Sequence, residues 1–193
     1  MIEALQTYLE RIAPMPAAEV ELLKSTLRPR QLKKGEFMIR AGEISRHAAF
    51  VVRGFLRAYV IDEKGKEHIV QFAPENWWIS ESPGISTDQR APYFIDALED
   101  TDALMIDLAG HKTLMAGSPV YAASFGEGTQ RKVAAKDKRI VQSLSADAEE
   151  RYRDFMETYP SIVQRVPQHM LASYLGVTPE TLSRIRKKAT QKK

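Results

Sequence analysis

The sequence predicts an α+β protein in which an N-terminal jelly-roll barrel (a double-stranded β-helix) precedes a long connecting helix and a C-terminal three-helix helix-turn-helix domain. Three observations predict this fold. Short apolar runs separated by turns fill residues 30–107, residues 119–144 have no internal proline, and residues 168–187 form two short amphipathic segments around Gly176. We expect three segments, with bounds at 1–118, 119–145 and 146–193.

The composition is that of a globular protein. The chain has 193 residues, of which 44% are hydrophobic and 27% are charged, and it contains no cysteine. The lack of cysteine excludes disulfides, thiolate zinc sites and cysteine-bound iron–sulfur clusters. No apolar run approaches the ~20 residues of a membrane span, and the N-terminus lacks the pattern of a signal peptide. We therefore expect a cytoplasmic protein without a membrane partner.

Two helices are predicted before the barrel. Apolar residues recur at helical spacing over Ile2–Ile12, and Pro14 and Pro16 end this first helix. A second amphipathic helix is predicted over Ala17–Leu27.

The barrel is predicted from a change of pattern after Arg30. Short β-like runs alternate with turns, and the polar loop Asp62–Lys66, with Gly65 near its end, is typical of a hairpin. Seven or eight strands of this kind favour a sandwich or jelly roll. The predicted strands are Phe37–Arg40, Ala49–Arg53, Phe55–Ile61, His68–Phe72, Trp77–Ile79, Tyr93–Ala97 and Ala103–Ile106.

A short helix, Leu108–Ala116, and then one long helix, Pro119–Leu144, are predicted after the barrel. The long helix would measure ~39 Å if it is unbroken, which is long for one surface of a small domain. We interpret it as a connector and a homodimer interface, and the alternative is a helix packed only on its own barrel. The interface residues that we expect are Phe125, Val133, Ile140 and Leu144.

The C-terminal segment has the layout of a helix-turn-helix, which follows a predicted helix at Asp147–Tyr159. Leu171 and Leu175 share one helix face, and the small side chain of Ala172 allows a second helix to cross closely. Gly176 can take the positive φ that ends the first helix sharply. Thr178 is a favourable N-cap, and a proline follows at the first helical position.

The second helix of this pair is the predicted recognition helix. Arg184 can bond bidentately to a guanine edge, and Glu180 can accept from a cytosine amino group. Short hydroxyl side chains and the basic residues after Arg184 are suited to hydrogen bonds with DNA phosphates. The alternative is a plain helical hairpin with a solvated basic face. The DNA-binding residues that we expect are Thr178, Glu180, Thr181, Ser183, Arg184, Arg186, Lys187 and Lys188.

The charge distribution agrees with DNA binding. Residues 161–193 contain seven basic residues and one acidic residue, a net charge of +6, although the whole chain has only +3. Basic charge therefore concentrates in and after the predicted recognition helix, as attraction to phosphates requires.

In this order, a β-barrel, a long helix and a helix-turn-helix resemble the Crp/Fnr family of bacterial transcription regulators. The family signature Glu-Thr-x-x-Arg stands here at residues 180–184, and Lys34-Gly-Glu and Ala41-Gly-Glu look like family turn motifs. The resemblance implies base contacts from Glu180 and Arg184, a sensor barrel, and double-stranded DNA, RNA polymerase and a second copy of the chain as partners. A further family arginine is replaced here by Pro179, so one contact is missing and the operator can differ.

The expected effector pocket departs from the family pattern. Where cyclic-nucleotide-binding members have a Gly-Glu pair and, about ten residues later, an arginine for the phosphate, this chain has Ser80-Glu81 and Ala91. Arg90 is one position away and serves only if the loop shifts. A buried phosphate without a positive or N–H partner is costly. We therefore expect an unidentified small-molecule effector, or none, with a cyclic nucleotide disfavoured, and we expect no other cofactor.

The end of the chain is a second departure. Only five residues follow Lys188, so we expect no β-hairpin wing, and phosphate clamping would depend on Arg186, Lys187, Lys188 and the helix termini.

Two other classes of function are alternatives to this interpretation. A cupin metalloenzyme needs clustered ligands, but His47, His68, His111 and His169 lie far apart in the sequence, so we expect no enzyme and no metal. A non-DNA-binding interaction protein could keep the barrel, but Glu180, Arg184 and the basic segment argue against it.

Overall fold

The computed structural model describes residues 1–44, 46–80 and 90–191. Its contacts divide the chain into two compact units, of which the first comprises Met1–Val60 and Gln71–Thr129 and the second Ile61–Val70 and Gln130–Lys193. The predicted segment 119–145 coincides with one helix, whereas the division into units passes through that helix between Thr129 and Gln130.

Seven helices and eight strands lie within the described residues. The helices are α1 (Ile2–Leu9), α2 (Ala17–Thr26), α3 (Leu108–Gly117), α4 (Pro119–Ser145), α5 (Ala148–Thr158), α6 (Gln168–Leu175) and α7 (Pro179–Gln191). The strands are β1 (Arg28–Leu32), β2 (Phe37–Ile39), β3 (His47–Arg53), β4 (Leu56–Ile61), β5 (Glu67–Ala73), β6 (Trp78–Ile79), β7 (Phe94–Ala97) and β8 (Thr101–Asp107).

The strands form two four-stranded sheets, ordered β1-β8-β3-β6 and β2-β7-β4-β5. In the first, β8 pairs antiparallel with both β1 and β3, with Leu104 opposite Pro29 and Phe50. In the second, β7 pairs antiparallel with both β2 and β4. Two such sheets with alternating strand membership form a jelly roll, so the predicted fold class is confirmed.

The core of the first unit lies where helices α1, α2 and α3 and the start of α4 cover the sheet that contains β3 and β8. Leu5, Leu23, Phe50, Leu104 and Leu114 are fully buried in this cluster. The aromatic rings of Tyr8, Phe50, Trp78 and Tyr121 form a continuous series, with centroid separations of 5.3, 5.3 and 6.1 Å.

Helix α1 and strand β1 differ clearly from the sequence prediction, whereas other elements differ by one or two residues at their ends. Helix α1 ends at Leu9 instead of Ile12. Strand β1 was not predicted as a separate strand, because its sequence Arg-Pro-Arg-Gln-Leu has no apolar alternation and contains Pro29. The strand lies at the edge of its sheet, where a residue without an N–H is tolerated.

The second unit contains the tip of the β4–β5 hairpin, the C-terminal half of α4, and α5, α6 and α7. The hairpin turn is confirmed: the Asp62 carboxylate accepts from the N–H groups of Lys64 and Lys66 at 2.9 and 3.0 Å, and Gly65 has a φ of +79°. Helix α5 begins with a capping box between Asp147 and Glu150. The predicted small core of the three helices is confirmed, since Tyr152, Phe155, Leu171 and Leu182 are all buried.

Candidate nucleic-acid interface

The turn between α6 and α7 has the geometry that its sequence predicts. Gly176 takes a left-handed conformation, with φ 67° and ψ 35°, and the N–H of Val177 donates to the Ala172 carbonyl at 3.0 Å. The Thr178 hydroxyl then accepts from the N–H of Thr181 at 3.3 Å, as an N-cap does, and α7 begins at Pro179. A left-handed glycine and an N-cap set so close together give a sharp, defined change of direction.

The inner faces of the two helices are buried together. Leu171, Ala172 and Leu182 are essentially inaccessible to solvent, and Leu175 and Ile185 are also buried. Because the side chain of Ala172 is a single methyl group, α7 can pack closely on α6 at this point. The predicted helix-turn-helix layout is therefore present in the second unit.

The outer face of α7 displays the polar residues predicted to contact DNA. Glu180, Ser183, Arg184 and Lys187 are exposed. Arg184 donates from Nη2 to the Thr181 hydroxyl at 3.2 Å, which holds its guanidinium near the first turn of α7. Hydrogen bonds from its own backbone N–H and from the Thr178 side chain hold the pKa of Glu180 below its usual range, so this side chain is charged at neutral pH. The face therefore presents one anionic acceptor and cationic donors.

Two of the predicted DNA-binding residues have partners on elements that precede the helix-turn-helix. Arg186 is half-buried, and its Nε lies 3.3 Å from the Tyr152 hydroxyl while Nη2 donates to the Val163 carbonyl at 3.4 Å. Lys188 Nζ lies 2.6 Å from Glu149 Oε1 on α5. Both contacts join α7 to the rest of its domain, whereas Lys187 projects into solvent.

Residues outside the recognition signature also shape the interface. Gln168, at the start of α6, donates from Nε2 to the Pro179 carbonyl at 3.1 Å and so spans the turn. Arg139 and Arg151 donate to the carbonyls of Tyr174 and Leu175 at the end of α6. No local pattern in the sequence indicates these three residues, because each binds a backbone carbonyl at least 11 residues away.

The predicted dimer-interface residues fall into two groups. Val133, Ile140 and Leu144 are 53%, 59% and 84% exposed on α4. Phe125 is half-buried and packs on the rings of His111 and Tyr121 at centroid distances of 4.4 and 6.3 Å. The exposed apolar stripe therefore belongs to the C-terminal half of the helix.

The residues predicted to line an effector pocket are described only in part. Glu81 lies outside the described residues. The Ser80 carbonyl accepts from the Tyr93 hydroxyl at 3.1 Å, and Arg90 donates to the Gly42 carbonyl at 2.7 Å. Ala91, which stands where the family pattern has an arginine, is buried, and its N–H donates to the Glu43 carbonyl at 2.8 Å.

A buried ion pair in the barrel was not predicted. Arg57 on β4 is 6% exposed and donates from Nε and Nη2 to the two carboxylate oxygens of Asp96 on β7, at 2.7 and 2.9 Å. The two residues are register partners in the sheet, and the guanidinium also lies 4.1 Å from the Tyr59 ring centroid. A possible signal in the sequence is the occurrence of one arginine within the apolar strand Leu56–Ile61.

Among residues 1–44, 46–80 and 90–191, no three His, Cys, Asp or Glu side chains gather closely enough to hold a metal ion. None of the described helices combines the length and the hydropathy needed to cross a bilayer.

The barrel matches a known family of domains. Residues 29–118 match the model of the cyclic nucleotide-binding domain. Among proteins of curated function, none matches the sequence.

Solved structures similar to this chain include proteins described as regulators. The regulator CLP of Xanthomonas campestris, described as responsive to c-di-GMP, has a TM-score of 0.71 at 13% identity, over 92% of this chain and 93% of its own. A CooA mutant from Carboxydothermus hydrogenoformans has a TM-score of 0.73 at 16% identity, over 95% of this chain and 84% of its own. A protein from Eubacterium rectale described as a transcriptional regulator of the Crp/Fnr family has a TM-score of 0.63 at 18% identity, over 92% of this chain and 85% of its own. At these identities the likeness concerns the fold, and the resemblance to the Crp/Fnr family is confirmed at that level: a region that matches the cyclic nucleotide-binding domain is followed by a helical C-terminal region.

Proposed function

We propose that the protein is a DNA-binding transcription regulator that acts as a homodimer on a near-palindromic operator. The observation that carries this proposal is the exposed pair Glu180 and Arg184 on a helix whose start is held by a left-handed glycine and an N-cap. In a helix-turn-helix such a helix enters the major groove, and these side chains match the edges of cytosine and guanine.

The exposed stripe on α4 supports the homodimer. Val133, Ile140 and Leu144 recur at intervals of seven and four residues, so they lie on one helix face. A second copy of the same helix would cover this apolar face. The paired recognition helices would then enter major grooves ~34 Å apart.

The cyclic nucleotide-binding domain would supply the control. We infer an effector other than a cyclic nucleotide, or none, since the buried Ala91 replaces the phosphate-binding arginine of the family pattern. A signal received there would change the angle of α4 and shift the population of the DNA-competent state. At a promoter the dimer would then act on RNA polymerase.

Selection of random DNA duplexes by the purified protein, followed by sequencing, tests the proposal. We expect enrichment of a motif with two inverted half-sites. Recovery without any enriched motif would instead favour the second candidate function, an interaction protein that keeps the fold and does not bind DNA specifically.

A further inference from the structure

The last four carbonyl groups of α6 all have partners, and two of these partners are arginines. The last four carbonyls of a helix have no N–H partner within the helix, so other groups must donate hydrogen bonds to them. The turn satisfies two, since Val177 N–H donates to Ala172 O at 3.0 Å and Gly176 N–H to Ser173 O at 3.2 Å. The remaining two accept from guanidinium groups, Tyr174 O from Arg139 Nη2 and Leu175 O from Arg151 Nε, each at 3.0 Å.

Both arginines also bind other elements of the second unit. Arg139 belongs to α4, and it donates to the carbonyls of Ile69 and Val70 in β5 at 2.9 and 2.8 Å. Its guanidinium lies 4.1 Å from the ring centroid of Tyr174. Arg151 belongs to α5, and it donates to the Ala146 carbonyl directly after α4 at 2.7 Å.

A serine of α6 adds to the contact with the hairpin. The Ser173 hydroxyl accepts from the Ile69 N–H at 3.1 Å and donates to the Glu67 carbonyl at 3.0 Å. The end of α6 is thus bonded to α4 and its C-terminal flank, α5 and the start of β5.

From this geometry we infer that Arg139 and Arg151, together the arginine clasp, are positioning residues that set the orientation of α7 relative to α4. The inference rests on the proposed function, because the consequence is the spacing of the two half-sites that a dimer paired through α4 can bind. Only residues 176–178 separate α6 from α7, so fixing the end of α6 fixes the start of the recognition helix.

The chemistry of arginine suits this role. A guanidinium is planar and carries five donors in a fixed fork, so one side chain can bind carbonyls of several elements at once. Its positive charge is also favourable beside the negative end of the α6 dipole. The clasp binds backbone carbonyls of α6 and leaves Glu180 and Arg184 of α7 exposed, so it does not compete with DNA for them.

The experiment compares Arg139→Gln and Arg151→Gln with the unmodified protein on two sets of duplexes. One set carries a single half-site, and the other carries full sites whose central spacer is lengthened or shortened by one or two base pairs. We expect half-site affinity within about twofold of the unmodified protein. We expect affinity for the preferred full site to fall about tenfold or more, because a looser orientation lowers the effective concentration of the second recognition helix. The dependence on spacer length should flatten.

Matched variants separate positioning from loss of charge. Lys136→Gln on α4 and Arg153→Gln on α5 remove one exposed positive charge each from the same helices, and they should keep the spacing preference. Arg139→Lys keeps the charge but cannot bind three carbonyls with a planar fork, so an intermediate loss is expected, and this milder variant serves if Arg139→Gln does not fold.

Two results would overturn the inference. The clasp has no positioning role if both glutamine variants retain the full-site affinity and spacer preference of the unmodified protein. It merely supports the domain if half-site and full-site affinities fall by the same factor. Failure of the proposed function is distinct, since the unmodified protein would then select no motif at all.

Discussion

The guanidinium of Arg186 lies against Tyr152, with Nε 3.3 Å from the phenol oxygen, although the nearby Arg184 and Lys187 of α7 are exposed. Its Nη2 bonds the Val163 carbonyl, so this side chain joins α7 to α5 and to the segment that follows α5. Neighbouring basic residues of one helix can thus have different roles, and this difference can be tested.

Arg186→Ala should lower the free energy of unfolding by roughly 1–2 kcal/mol, because a hydrogen-bonded, half-buried side chain is lost. The salt dependence of DNA binding should remain unchanged. Lys187→Ala, one position along, should instead leave stability unchanged and weaken binding to all DNA sequences alike. The slope of the logarithm of the binding constant against the logarithm of the salt concentration should fall in magnitude by about 1. Urea unfolding and DNA titration at several salt concentrations measure both effects. A reduced salt slope for Arg186→Ala would instead assign it a phosphate contact.

Arg184→Ala should cost about 1–3 kcal/mol of specific binding and relax the base preference at one operator position. Loss of a bidentate contact to a base edge is the physical reason. Selection of duplexes by the variant, followed by titration on the best site, measures both. If the selected motif is the same with and without this arginine, the side chain does not contact a base.

Leu144→Lys should weaken the homodimer by at least about tenfold, because a charge then replaces an apolar side chain at the proposed interface. Sedimentation at several protein concentrations measures the dissociation constant. Ile12→Lys is the matched control, since Ile12 is also an exposed apolar residue but lies outside α4. An equal effect of the two substitutions, or none from Leu144→Lys, would place the interface elsewhere.

Gly54→Ala should destabilise the first unit strongly. Gly54 has a φ of +99°, and an added Cβ would lie 2.5 Å from Thr101 Oγ1 and 2.6 Å from the Asp100 carbonyl oxygen. Thr101 cannot easily move, because its hydroxyl accepts from Phe55 N–H at 3.0 Å and donates to Glu99 O at 2.8 Å. Backbone strain of ~1–2 kcal/mol and overpacking of ~1–3 kcal/mol add to a loss of roughly 2–5 kcal/mol.

The control for this substitution is Gly35→Ala, which also has a positive φ, +82°, but whose Cβ would meet nothing within 4 Å. Only the strain of ~1–2 kcal/mol is then expected. Thermal unfolding of both variants measures the difference, and equal losses would show that the close approach to Thr101 is not limiting.

Stability should fall as the pH is lowered through the titration range of His111. Burial holds the pKa of His111 below its usual value, and its Nδ1 lies 2.9 Å from the Tyr121 hydroxyl. The unfolded chain therefore binds a proton at this residue at a higher pH than the folded one does. The contribution of His111 to the free energy of unfolding is complete above about pH 6.5 and decreases as the pH falls below that value. The free energy of unfolding should fall less between about pH 7 and pH 5 in His111→Gln than in the unmodified protein. Identical pH profiles would rule out a contribution from this residue.

Features that depend on local physics can be predicted from the sequence alone. Gly176, Thr178 and Pro179 specify their turn through positive φ, capping and a preset φ, and they do so wherever the chain is placed. The order of elements and the long helix followed from hydrophobic periodicity and from the position of prolines. The β4–β5 hairpin followed from its polar loop, because Asp62 bonds N–H groups within four residues of itself.

Which polar side chains bind partners inside the protein depends instead on tertiary contacts. Arg57 meets Asp96 across two strands, Arg186 turns to Tyr152, and Arg139 and Arg151 bind the carbonyls that end α6. These four hydrogen bonds span 24 to 39 residues of the sequence. A periodicity records which face of an element is buried, whereas the partner of a buried guanidinium depends on which distant backbone or carboxylate oxygens the fold brings to it.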